Sequence, residues 1–309
     1  MSILVVGTVA LDTVQTPFGK VKNALGGSAS YSALSASFFS KVKLSSIVGS
    51  DFPQEFITLF QRRGIDTEGL DIKKGKTFRW SGFYSYDLNT AQTLKTELNL
   101  LSHFNPDISG DYQDAKFVLL ANISPHVQLE VIRQLKGPRL IVCDTMNYWI
   151  EHEQKPLKQV IKKSDILILN NSEARELTQE SNLIKAGKAL LALGVRLVIV
   201  KKGEYGCSLF SRGSSFSIPA YLLENVLDPT GAGDTFAGGF LGYLAACPKI
   251  TESSFKAAIV IGTIMSSYVV EDFSLNRLNK LKKEDIRNRF EAFQRMTNFS
   301  NRINLRMRV

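Results

Sequence analysis

Asp228-Pro229-Thr230-Gly231-Ala232-Gly233-Asp234-Thr235-Phe236-Ala237-Gly238-Gly239-Phe240 is the stretch on which the reading of the chain turns. Pro229 stops whatever precedes it and fixes the angle of entry. Gly231 and Gly233 leave the backbone uncrowded, so that its N–H groups can approach an anion closely. From about Ala232 the pattern turns helical, with Phe236, Phe240 and Leu244 recurring on one face. A glycine turn that opens a helix makes an anion site, because unpaired N–H groups and the positive end of the helix dipole point the same way. Asp234 falls in the first turn of that helix. A carboxylate there is poised to take a proton from a hydroxyl that attacks a bound phosphate. A plain helix cap would account for one glycine pair, but not for an ordered run that continues into Gly238 and Gly239.

The run resembles the second signature of the ribokinase-like (PfkB) family of carbohydrate and nucleoside kinases. The resemblance implies ATP-dependent phosphorylation of a hydroxyl on a small carbohydrate, with Asp234 as catalytic base. The N–H groups from Gly231 through Ala232 and Gly233 to Asp234 become an anion hole for the transferred phosphoryl. The implied fold is α/β, three-layered, with a mostly parallel sheet between helices and a small β-sheet lid. One kinase domain would fill residues 1–309, with the lid drawn from about 13–23 and 75–100. In many relatives the segment holding Asp228 and Thr230 helps to bind a monovalent cation, so K⁺ joins ATP and Mg²⁺ among the implied partners.

Working upstream, Leu197-Val198-Ile199-Val200-Lys201-Lys202-Gly203-Glu204-Tyr205-Gly206 reads as a strand running into a glycine turn. The family places nucleotide contacts in such a loop, and Gly203 and Gly206 match its spacing. Lys201 or Lys202 can meet nucleotide phosphates, or the two can form a solvated pair. Before it, Asn170-Asn171-Ser172-Glu173 closes a strand and opens a helix. Ser172 can cap that helix, while Asn170 and Glu173 match the family's N-x-x-E motif. That motif organises Mg²⁺ and phosphate, usually through water, which suits an ion that dehydrates reluctantly. Phe117–Ala121, Leu140–Cys143 and Ile166–Leu169 are short apolar runs, each followed by a helix-sized segment, and so predict parallel strands joined by crossovers. Asn122 stands at the carboxyl end of the first of these and is a candidate substrate contact. Asp144 and Asn147 follow the second.

The amino-terminal part carries the acceptor candidates. Ile3–Gly7 is an apolar strand, and Asp12 follows at the mouth of the sheet, where ligands of open α/β sheets gather. Asp12 can accept from a pair of substrate hydroxyls or can serve as a turn or cap aspartate. Gly26 and Gly27 form a turn before a helix of small residues, resembling the family's first signature, which contacts the acceptor. Here the chain departs from the pattern: many sugar kinases of this type have Asn where this sequence has Tyr31. Tyr31 offers one hydroxyl and a flat ring instead. Residues 77–86 are rich in aromatics, with strand-like alternation, and Ala91–Leu98 can pair with them across Asp87-Leu88-Asn89. Arg79 on this segment is a further candidate for the acceptor. Tyr31, Phe78, Trp80 and Phe83 can stack a base, which keeps a nucleoside kinase beside the sugar kinase. A nucleotide-binding regulator without turnover is the third reading, and the intact Asp234 speaks against it.

Bulk properties narrow the classes. The 309 residues suffice for a large α/β core with a small appendage. No apolar run is long enough to span a bilayer. The three cysteines are far apart and form neither a metal pattern nor a disulfide framework, as expected of a cytoplasmic protein. Residues 277–309 hold ten Lys or Arg against three acids, a net +7 of the chain's +9. That concentration predicts a solvated basic helix and tail rather than a nucleic-acid surface. An exposed lid strand invites pairing with a second copy, so a homodimer through the lid is an expectation.

Overall fold

The computed structural model describes residues 2–298. The part of the expected basic helix and tail beyond 298 lies outside the described residues. The first half of the chain comprises β1 (Ser2–Val6), β2 (Ala10–Thr16), β3 (Gly19–Gly26), α1 (Ser28–Ala36), β4 (Lys41–Gly49), α2 (Gln54–Arg62), β5 (Ile65–Asp66), β6 (Leu70–Lys73), β7 (Arg79–Tyr84) and β8 (Ala91–Glu97). Strands and helices then alternate as β9 (Phe117–Leu120), α3 (Pro125–Gln134), β10 (Leu140–Asp144), α4 (Asn147–His152), α5 (Gln154–Lys163), β11 (Ile166–Asn170), α6 (Asn171–Thr178), α7 (Leu183–Ala192) and β12 (Leu197–Lys201). The hairpin β13 (Cys207–Ser211) and β14 (Ser214–Ile218) follows, and α8 (Ala232–Ala246), α9 (Glu252–Val269), α10 (Asn276–Lys280) and α11 (Lys283–Thr297) close the described chain.

The large sheet runs β14-β13-β12-β11-β10-β9-β1-β4-β5, with β6 also paired to β4. It is parallel from β12 to β5, and the terminal hairpin is antiparallel. The central parallel strands β1 and β9 are apolar on both faces because helices cover both. Ile3 and Val5 of β1 face a layer containing Phe236, Phe240 and Leu244 of α8 and Ile264 of α9. Leu4 and Val6 face the opposite layer, with Val131 of α3, Leu157 and Ile161 of α5 and Leu190 of α7. The period of two along the strand therefore divides one run of apolar residues between two cores.

A second sheet, ordered β3-β2-β7-β8, stands apart from the first. The expected hairpin of residues 77–86 with 91–98 is present as β7 and β8. The segment after the first strand joins it as β2, parallel to β7 and antiparallel to β3. These strands begin at Ala10 and end at Gly26, a wider span than residues 13–23. Asp12 consequently lies within a strand instead of on a turn or cap.

The helix of small residues, α1, is buried along its whole length. It packs on α8 more closely than larger side chains would allow: a Cβ at Gly238 would strike the Ser32 carbonyl. Serine hydroxyls finish the seam. Ser32 Oγ donates to the Asp234 carbonyl (2.9 Å), and Ser35 Oγ to that of Thr235 (2.8 Å). No helix among the described residues is long and apolar enough to cross a membrane.

Candidate active site

The head of α8 is the centre of the site. Gly231 caps it with φ 75°, a left-handed conformation that side-chained residues rarely adopt. A Cβ there would also lie 2.5 Å from the Tyr31 ring. Ala232 N–H closes a turn onto the Pro229 carbonyl (3.2 Å), and Thr235 N–H begins the helical ladder on Gly231 (2.8 Å). The N–H groups of Gly233 and Asp234 lie between them in the first turn, where no preceding helical carbonyl can reach them. The Gly233 N–H is the donor left for an anion, together with the dipole of a 15-residue helix, since the Asp234 N–H turns to its own carboxylate.

Parallel strands bring the other groups to the same edge. β10 ends at Asp144, β11 at Asn170 and β12 at Lys201, with Asn170 and Lys201 directly paired. Lys201 Nζ donates to both oxygens of Asp144, at 3.3 and 3.2 Å. It also lies 2.8 Å from where a Cβ on Gly233 would sit, so that the ammonium occupies the space this glycine leaves open. Lys202 instead turns outward to Ser217 Oγ (3.3 Å). The two lysines, equivalent in sequence, are separated by strand alternation. Asp144 was legible only as a strand end. A carboxylate at the carboxyl end of a strand two places from one ending in lysine would have been the signal.

Asn170 and Glu173 form a reciprocal cap on α6: Glu173 N–H donates to Asn170 Oδ1 (2.9 Å) and Asn170 N–H to Glu173 Oε2 (2.7 Å). Burial pushes the Glu173 carboxyl up to about 7, with Lys201 pulling it down and Asp144 adding to the rise. Among the described residues no group of three metal-binding side chains is gathered. The 203–206 loop follows Lys201, and Asn89, in the turn between β7 and β8, approaches within 3.6 Å of a Cβ placed on Gly203.

On the other side of α8, Asp12 is buried, and its Oδ1 has no hydrogen-bond partner. A Cβ on Gly26 would strike the Asp12 carboxylate, which explains why the paired strand carries glycine there. Burial raises the Asp12 carboxyl to about 7. The Gly27 N–H opposes this, while the charges of Asp228 and Asp234 add to it. Asp234 is also raised to about 7, first by burial, then by Asp144, with Lys201 opposing. Thr230 N–H donates to Asp228 Oδ1 (2.9 Å), whereas the buried Oδ2 of Asp228 has no partner. Thr230 Oγ1 donates to Tyr84 Oη (3.3 Å), joining the second sheet to the loop before α8.

Three candidates stand differently from the rest. Tyr31 is only 2% exposed and forms the floor under Gly231, while Phe78, Trp80 and Phe83 are half-buried in and beside β7. Arg79 pairs with Asp51 (2.7 Å) and Asn23, bracing the second sheet against the end of β4. Asn122 accepts from Trp149 Nε1 (2.8 Å) and turns its amide toward Met146 Sδ (3.1 Å), so both ends of its side chain are engaged.

A model of the pfkB family of carbohydrate kinases matches residues 2–280. The chain belongs to this family. It is a phosphotransferase with an alcohol group as acceptor, a sugar or nucleoside kinase. It is 32% identical over 254 residues to the cytidine kinase of Thermococcus kodakarensis, across 80% of this chain and 90% of that protein. The fold matches the nucleoside kinase of Methanocaldococcus jannaschii, with a TM-score of 0.76 at 21% identity, covering 94% of this chain and 98% of that one. Aminoimidazole riboside kinase from Salmonella enterica, solved with aminoimidazole riboside and an ATP analogue, superposes with a TM-score of 0.75 at 18% identity over 94% of this chain and all of its own.

Proposed function

We propose that this family member is an ATP-dependent nucleoside kinase, with cytidine as the first acceptor to try. The phosphotransfer half of the reading rests on one arrangement: Asp234 in the first turn of α8, beside the Gly233 N–H and the positive end of the helix dipole. The acceptor half is supported by the similarity to a cytidine kinase over nine-tenths of that protein's length. Tyr31 is packed under Gly231 and gives the acceptor no ring to stack on. A free sugar is the second reading, since the family also phosphorylates carbohydrates.

Asp12, with its unpartnered oxygen, receives acceptor hydroxyls beside the Gly26–Gly27 junction. The reacting hydroxyl points to Asp234, whose raised pKa suits a base working near neutral pH. The Gly233 N–H and Lys201 take up charge on the transferred phosphoryl. Asn170 and Glu173 would hold Mg²⁺ through its water, and that ion supplies neutralisation of the nucleotide phosphates. The buried, unpartnered Oδ2 of Asp228 would suit K⁺, with Thr230 beside it. The second sheet acts as a lid, excluding water that would compete for the phosphoryl. The free edge of β8, exposed from Ala91 to Thr96, supports pairing with a second copy.

The test is a comparison of kcat/KM, with MgATP and K⁺ present, for cytidine, uridine, adenosine and inosine against ribose, fructose and inositol. One nucleoside should lead every free sugar by about tenfold or more. A free sugar leading by the same margin would overturn the nucleoside assignment.

A further inference from the structure

Three buried carboxylates, Asp144, Glu173 and Asp234, act on the Lys201 ammonium, yet its hydrogen bonds go to Asp144. Asp144 is well fixed for this. It is 2% exposed, Thr145 N–H donates to its Oδ1 (2.9 Å), and Gln128 Nε2 donates to its backbone carbonyl (3.1 Å). The lysine side chain is 18% exposed and reaches from the end of β12 to the open face of Gly233. A buried ion pair is a poor device for stability, since two apolar side chains of similar volume would serve as well. This one has its ammonium at the anion-binding turn.

We propose that Asp144 is a positioning residue: it holds the Lys201 ammonium under Gly233, facing the transferred phosphoryl, and keeps it from closing an ion pair with Asp234. The inference rests on the kinase reading above. In the transfer, the acceptor oxygen forms its bond to the γ-phosphorus as the bond from that phosphorus to the β–γ bridging oxygen breaks. ADP leaves with the bonding electron pair, and the acceptor proton passes to Asp234. Lys201 keeps its proton throughout and contributes only charge. Were the ammonium paired with Asp234, the carboxylate would be a weaker proton acceptor and the phosphoryl would lose a partner. Asp144 prevents both by occupying the ammonium from the far side.

The test uses Asp144→Asn, Lys201→Met and the double variant in the full chain. Two quantities are read: MgATP affinity by calorimetry without any acceptor, and kcat with KM for the best acceptor. Asp144→Asn should lower kcat by about 10- to 100-fold, as expected when a catalytic group is displaced, with acceptor KM unchanged within about twofold. Lys201→Met should weaken MgATP binding and lower kcat at least as far. The double variant should match Lys201→Met, because Asp144 acts through the lysine. Asp144→Asn alone leaves a buried ammonium without its partner and can fail to fold, whereas the double variant removes both charges together. Lys201→Met against the double variant then carries the test.

Equality of those two variants within about threefold supports the inference. A double variant that falls below Lys201→Met by a further tenfold or more, as independent losses would multiply, overturns it, as does a folded Asp144→Asn with wild-type kcat. Wild-type protein that binds MgATP but phosphorylates nothing sinks the kinase reading instead. The binding series, read without acceptor, keeps the two failures apart.

Discussion

The head of α8 and the second sheet face each other across the site and are built in opposite ways. Around α8 the packing is close: Gly231 lies on the Tyr31 ring, Gly233 leaves space for an ammonium, Gly238 rides on the Ser32 carbonyl, and hydroxyls of α1 stitch the seam. A single added carbon would collide at each of those glycines. The second sheet buries Leu11, Val14 and Leu25 but leaves β8 exposed from Ala91 to Thr96. It reaches the α8 side through few polar contacts, chiefly Tyr84 to Thr230. Phosphoryl transfer needs donors fixed to a fraction of an ångström, and a close-packed helix end provides that.

The contrast can be broken most severely at Asp234. Asp234→Asn should lower kcat by about 10²- to 10⁴-fold, the span expected of a lost general base. In the wild type, the carboxyl raised to about 7 must shed its proton before it can accept one, so kcat should climb with pH through that region and level off above it. A flat profile from pH 5 to 8 would remove Asp234 from the base role. Gly231→Ala comes next. It combines a positive φ with a collision against Tyr31, so thermal or denaturant unfolding should register a loss of about 1–3 kcal/mol, and activity should fall with it. A variant as stable as the wild type would mean that the turn is looser than described. The smallest effect belongs to the sheet: Tyr84→Phe removes one neutral hydrogen bond to Thr230, so stability should fall by about 0.5–1.5 kcal/mol and acceptor KM should rise a few-fold. An equally small effect from Gly231→Ala would erase the distinction between the two regions.

Legibility in the sequence follows the same division. The parallel strands and α8 were readable because period and composition there reflect burial that every residue shares. The glycine turn and the helix it opens were readable because the motif and the local fold coincide there, whereas the cap on α6 comes from Asn170 and Glu173 and not from Ser172. The turn or cap alternative for Asp12 fails because β2 carries Asp and Thr among its apolar residues, a pattern that tertiary pairing with β3 and β7 overrides. The engagement of Asn122 by Trp149 and of Arg79 by Asp51 spans 27 and 28 residues. Such pairings depend on where crossovers return, which no local pattern records. Asp144 was missed for the same reason, since its partner Lys201 is two strands away.

The most direct measurement of the central claim follows both products of one reaction. Purified protein is incubated with MgATP and cytidine, ADP and phosphorylated cytidine are quantified together, and Asp234→Asn is run beside it with its MgATP affinity measured separately. The account predicts equimolar ADP and phosphocytidine from the wild type, neither above background from the variant, and similar MgATP affinity in both. Undiminished transfer by Asp234→Asn, or a variant that has lost MgATP binding as completely as turnover, would contradict the role assigned to the head of α8.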